Sequence, residues 1–113
     1  MKILIITDIQ YGEDTDYSKH LDKEYISSFG SQFEKYLPKI LSIVKNHDLV
    51  INLGDLINET DTASDLIQYK KAIELFGKEK PIKHVLGNHE LRTLSRNQIV
   101  EIIGEKNLTI LLI

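Results

Sequence analysis

Val85-Leu86-Gly87-Asn88-His89-Glu90 is the stretch on which the reading of this 113-residue chain turns. An apolar run over residues 82–86, with Lys83 and His84 inside it, stops at a glycine. Three residues able to bind metal or carry a proton follow at once. A buried strand that empties into an active-site loop has this form: apolar residues, a permissive turn, then chemistry. The order recurs twice. Ile3-Leu4-Ile5-Ile6 runs into Thr7-Asp8-Ile9-Gln10, and residues 49–53 run into Gly54-Asp55-Leu56-Ile57-Asn58. Each strand delivers an acid or amide at its carboxyl end, the edge at which open α/β sheets bind ligands.

Between these strands the pattern turns helical. Residues 3–6 read as a strand buried on both faces, as in parallel sheets. Gly12 to Asp16 read as a solvated acidic loop carrying Glu13 and Asp14. Residues 18–46 read as helix, with Phe33, Leu37, Ile40, Leu41 and Val44 on one face. Pro38 predicts either a kink or a second helix starting near Leu37. Thr62 with Asp65 resembles a capping box opening a helix striped by Leu66, Tyr69, Ile73 and Phe76 and stopped by Gly77. Ser95 with Gln98 opens a shorter one that Gly104 closes. Residues 108–113 read as a fourth apolar strand. Strands alternating with helices predict a single α/β unit with a parallel or mixed sheet covered on both faces.

Composition narrows the chemistry. The chain is 42% hydrophobic and 27% charged, which places it among globular proteins. A net charge of -3 gives no general attraction to nucleic acid or anionic membrane, so neither is an expected partner. A phosphate-bearing substrate would then need local positive charge, for which metal ions are the evident source. No cysteine is present, so thiolate metal sites, disulfides and cysteine nucleophiles are excluded. The start is not a signal peptide, and no segment approaches the roughly 20 apolar residues of a membrane span. The expected location is cytoplasmic.

Asp8, Gln10, Asp55, Asn58, Asn88 and His89 all lie within five residues after a strand. Singly, each is an ordinary turn residue; together and in this order they form a constellation. Oxygen donors dominate, which suits Mn²⁺ or Mg²⁺ better than Zn²⁺ or Fe. A central carboxylate such as Asp55 can bridge two cations that clamp a phosphate and activate water. His89 is placed to protonate a leaving oxygen. His20, His47 and His84 read as non-catalytic, His20 least securely because it follows the Asp8 loop.

These three blocks resemble the calcineurin-like metallophosphoesterases, whose pattern is Asp-x-His, then Gly-Asp-x-x-Asp/Asn, then Gly-Asn-His-Asp/Glu. The resemblance spans the whole chain, and Gly87-Asn88-His89-Glu90 is its most specific block. It implies a layered α/β/β/α fold of which residues 1–113 supply the amino-terminal β-α-β-α-β-α-β half. It implies two divalent metal ions, Mn²⁺ first, with Mg²⁺, Fe or Zn²⁺ as alternatives, acting on a phosphate-containing small molecule. Asp8 and Gln10 would bind the first metal, Asp55 would bridge, Asn88 would bind the second, and His89 would be the acid. In relatives the Asn58 position can orient the histidine.

Two departures shape the expected activity. Gln10 stands where most members have His. With Tyr11 after it, it resembles the manganese-dependent ADP-ribose/CDP-alcohol diphosphatase branch, which cleaves pyrophosphate bonds in nucleotide conjugates. The family's downstream histidines are missing, since no histidine follows His89. The function expected is therefore a metal-dependent phosphoester or diphosphate hydrolase, incomplete in this chain. The alternative is an inactive metallophosphoesterase-like binding or regulatory module. An exposed 108–113 edge would favour a homo-oligomer or a completing polypeptide.

Overall fold

The short apolar runs become strands, and the amphipathic stretches become helices packed on them. A computed structural model describes residues 1–12, 15–16, 26–27 and 32–104. In chain order the elements are β1 (Ile3–Ile6), β2 (Thr15–Asp16), β3 (Ile26–Ser27), α1 (Phe33–Lys45), β4 (Leu49–Asn52), α2 (Thr62–Phe76), β5 (Lys83–His84), α3 (Asn88–Thr93) and α4 (Arg96–Ile103). β1, β4 and β5 form a parallel sheet with β4 in the middle. Register sets Ile6 opposite Asn52 and Asn52 opposite His84. Parallel strands in this register bring their carboxyl ends level, so the three loops leave the same edge together.

One sheet face carries the core. Val50 joins Phe33, Leu37 and Val44 of α1, Tyr69, Ala72 and Phe76 of α2, and Ile99 and Ile103 of α4. Phe33 stacks on Phe76 at 5.0 Å between ring centroids. Burying an aromatic ring of this kind contributes about 2–3 kcal/mol. The opposite face departs from expectation. Ile3 and Ile5 of β1 are 47% and 59% exposed. The apolar run predicts burial on both faces of this strand. Among the described residues the helices gather on the face of Leu4, Ile6 and Val50, so the alternate side chains of β1 meet solvent.

Other boundaries also move. Of the helix expected over residues 18–46 the described part is α1, Phe33–Lys45, while Ile26–Ser27 pair antiparallel with Thr15–Asp16 and residues 18–25 and 28–31 lie outside the described residues. Thr15 and Asp16 are thus strand residues, not the tail of a loop; Glu13, Asp14 and His20 lie outside the described residues. Pro38 sits inside one continuous helix, where its missing N–H costs only the bond to the Glu34 carbonyl, near the exposed helix start. The N-cap of α2 is Asp61, whose Oδ1 accepts the Ser64 N–H at 2.9 Å. Asp65 is instead buried and takes the N–H and hydroxyl of Thr60 at 3.1 and 3.0 Å, with the Thr93 hydroxyl also on it. The Ser95–Gln98 capping box forms as expected, with reciprocal bonds of 2.8 and 3.2 Å, and Gly104 closes α4 at φ +76°. The strand expected at residues 108–113 lies outside the described residues.

Candidate functional site

The first two loops are zipped together by their backbones. The N–H of Asp8 donates to the Gly54 carbonyl at 3.2 Å, that of Gln10 to the Asp55 carbonyl at 3.0 Å, and that of Tyr11 to the Leu56 carbonyl at 2.7 Å. To lie this way Asp8, Gln10 and Asp55 adopt positive φ, at 56°, 51° and 53°. Non-glycine residues rarely hold this left-handed conformation, and each instance costs about 1–3 kcal/mol. The three strained residues are three of the four metal ligands expected from the sequence.

The third loop is clipped to the second by Glu90. Its buried carboxylate accepts four backbone N–H groups: Gly87 at 2.8 Å, Asp55 at 3.1 Å, Ile57 at 3.3 Å, and Leu56. Burial pushes its carboxyl up, while these N–H groups pull the other way. The two glycines make the approach possible. A Cβ on Gly54 would lie 2.5 Å from the Gly87 nitrogen, and one on Gly87 would strike the Asp55 nitrogen and carboxylate.

Asp55, Asn88 and His89 meet directly. The His89 N–H donates to Asp55 Oδ1 at 3.0 Å, and His89 Nε2 lies 4.0 Å from Asp55 Oδ2. The amide end of Asn88 faces both Asp55 oxygens at 3.1 Å. With its nitrogen turned there, it donates to the carboxylate; with its oxygen there, three oxygens converge, the arrangement a cation satisfies. His89 Nδ1 meets Glu59 Oε2, and Glu59 Oε1 meets Arg92. Burial alone would raise the Glu59 carboxyl; hydrogen bonds from its own backbone, His89 and Arg92 outweigh that and hold it below the ordinary range. Glu59, one position beyond Asn58, touches the histidine, while the Asn58 backbone N–H donates to the Tyr11 carbonyl at 3.0 Å.

Beneath the Asp55 turn, Asn52 spans two strands. Its Oδ1 accepts the Gly54 N–H at 3.1 Å and its Nδ2 lies 3.2 Å from His84 Nδ1. Both side chains are buried, and burial pushes His84 down to about 4, so the ring is neutral. His47 caps the end of α1, its Nδ1 2.7 Å from the Ile43 carbonyl. Beside the loops a polar recess of about 160 Å³ opens between Gly12, Asn58, Thr60, Asp61, Ser64 and Gln68.

The structure thus joins Asn88 and the backbone N–H of His89 to the Asp55 carboxylate, and brings Asp8 and Gln10 to Asp55 through backbone pairing. The Asp8 carboxylate accepts the Thr7 hydroxyl at 2.6 Å. Among the described residues no three His, Asp or Glu side chains converge on one point. The donors expected from the sequence are two carboxylates and two amides, a set whose chemistry would fit a hard divalent cation. The sequence pattern assigns no role to Glu59, Glu90, Arg92 or Asn52. Glu90 stood inside the most specific block and Asn52 ended a strand, but nothing in the pattern marked Glu59 or Arg92.

Among the described residues no helix is long and apolar enough to cross a membrane. A search of curated proteins and a search of solved structures each returned no match. The family described as calcineurin-like phosphoesterase matches residues 1–110, a span that takes in all three strand-end loops. Its members act on phosphate esters and generally bind divalent metals. The convergence of loops found in the fold and the extent of that match lead to one assignment: this chain belongs to the calcineurin-like phosphoesterase family.

Proposed function

We propose that residues 1–113 form the amino-terminal part of a metallophosphoesterase domain that hydrolyses phosphoester or diphosphate bonds with two divalent ions, Mn²⁺ foremost. The observation that carries this reading is the meeting of the second and third loops, with the His89 N–H on Asp55 Oδ1 at 3.0 Å and the Asn88 amide 3.1 Å from the same carboxylate. Asp8, Gln10 and Asp55 would hold one ion, and Asp55 with Asn88 the other. Bound there, the ions supply positive charge that neutralises the phosphate and makes water acidic enough to attack near neutral pH.

The chain's own residues orient the reaction. The Glu59 carboxylate keeps a proton on His89 Nδ1, which leaves Nε2 as the atom that passes a proton to the leaving oxygen. Arg92 holds Glu59 in place. Glu90 fixes the Asp55 turn, so the Asp55 carboxylate would not reorganise as charge develops. Gln10 and Tyr11 favour diphosphate bonds of nucleotide conjugates as substrate, and the recess beside Asn58 is the place for the organic part.

One further observation favours a second reading, a binding module without turnover. Residues 90–113 contain no histidine, so the donor set lacks the imidazoles that complete both sites in relatives. The test is Mn²⁺-dependent hydrolysis of ADP-ribose and of an aryl phosphodiester, with His89→Ala beside the wild type. Turnover well above the variant supports the hydrolase. Mn²⁺ binding without turnover supports the module, and neither sinks both.

A further inference from the structure

Tyr11 is fastened at both ends. Its backbone bridges to Ile57 in parallel, donating to Leu56 at 2.7 Å and accepting from Asn58 at 3.0 Å. Its side chain turns into the core, edge-on to Phe33 with ring centroids 5.5 Å apart. The buried phenol donates to Glu34 Oε1 at 2.7 Å. The same oxygen takes Lys71 Nζ at 2.8 Å, and Lys71 lies over the Tyr11 ring, 5.8 Å from its centre. One residue therefore ties the first loop to the second loop, to α1 through Glu34 and to α2 through Lys71.

The segment it anchors is the strained one. Asp8 at φ 56°, Gln10 at 51° and Gly12 at 138° all flank Tyr11 within three residues. Such conformations persist only where the surroundings over-determine them. Backbone pairing supplies part of that constraint, and backbone pairing alone leaves a loop free to slide along its neighbour. A side chain locked to two helices removes that freedom, because α1 and α2 are themselves fixed by the Phe33–Phe76 stack.

We infer that Tyr11 is a positioning residue for the metal site on the Asp8 side: its hydroxyl, through Glu34 and Lys71, holds Asp8 and Gln10 in the left-handed backbone from which they bind the cation. This rests on the assignment of Asp8 and Gln10 as ligands made above. A plain packing role makes a different prediction, since Tyr11→Phe keeps the ring on Phe33 and removes only the hydroxyl.

The test uses Mn²⁺ alone, titrated calorimetrically into the wild type, Tyr11→Phe and Glu34→Ala, with backbone hydrogen exchange at Gln10 and Tyr11 recorded without metal. Glu34 is exposed, so its variant folds even if the tyrosine variant does not. The expected result is Mn²⁺ affinity about 3- to 10-fold weaker in both variants, the scale of one hydrogen bond, with faster exchange at both amides. In a Gln10→Ala background Tyr11→Phe costs less than in wild type, because one of the two residues it positions is gone, whereas in Asn88→Ala it costs the same as in wild type. A wild-type chain that binds no Mn²⁺ overturns this inference together with the reading it rests on. Wild-type binding with unaltered affinity in Tyr11→Phe, or an equal loss in the Gln10→Ala background, overturns this inference alone.

Discussion

The Glu90 carboxylate accepts the backbone N–H of Asp55 at 3.1 Å from 35 positions away in the chain. The bond makes the last residue of the third motif a support for the central residue of the second. Glu90→Ala would leave four N–H groups without their acceptor inside the protein. The expected loss is about 3 kcal/mol, read as a lower urea midpoint, since unmade buried hydrogen bonds cost more than made ones contribute. An unchanged midpoint would mean that water replaces the carboxylate without penalty.

Gly87 is demanded by space, not by its φ. At φ -92° any residue fits the backbone, but a Cβ would strike the Asp55 nitrogen and lie 2.7 Å from Glu90 Oε2. Gly87→Ala is expected to destabilise by about 1–3 kcal/mol through overpacking and to push the third loop off the second. Denaturant unfolding measures the first effect and the chemical shift of the Asp55 amide the second. Wild-type values in both would show that the loops are less closely apposed.

His84 gives a pH dependence with a defined sign. Folded, it stays neutral down to about 4, while the unfolded chain protonates it near 6.5. Between those values the unfolded state binds more protons. Stability is therefore full above pH 6.5 and falls as pH drops toward 4, by up to about 3 kcal/mol. Urea unfolding across this range, with His84→Gln as reference, isolates the group. Parallel profiles for the two proteins would contradict its burial against Asn52.

Glu59 is the residue whose loss should change chemistry without changing substrate affinity. Glu59→Gln removes the anion that fixes His89 Nδ1. In the completed enzyme kcat is expected to fall about 10- to 100-fold with KM nearly constant, the usual effect of losing an outer orienting partner. Asn58→Ala should leave that orientation intact. Steady-state kinetics on the two variants decide between these neighbours, and a larger kcat loss for Asn58→Ala would reverse the assignment.

Much of this arrangement is legible in the sequence because apolar runs that stop at glycine or acid announce strand ends. Parallel pairing then forces those ends to one edge. The Ser95–Gln98 box was legible for a similar reason, as both bonds are local. The failures are non-local. Thr62 and Asp65 have the spacing of a capping box, yet Thr60 and the distant Thr93 claim the Asp65 carboxylate, and Asp61 caps instead of Thr62. Residues 18–32 carry helical spacing, but Ile26–Ser27 pair with Thr15–Asp16, and cross-strand bonds override local propensity. Ile3 and Ile5 are exposed although their run is wholly apolar, because strand composition does not say which face a helix will cover. Glu59 touches His89 from 30 residues away, a contact no periodicity encodes.

Mn²⁺ calorimetry on this chain, with Asp55→Asn beside it, tests the central claim most directly. The account predicts saturable binding to the wild type that is lost in the variant, because Asp55 is the carboxylate both proposed sites would share. No binding to the wild type, or equal binding to both proteins, would contradict it.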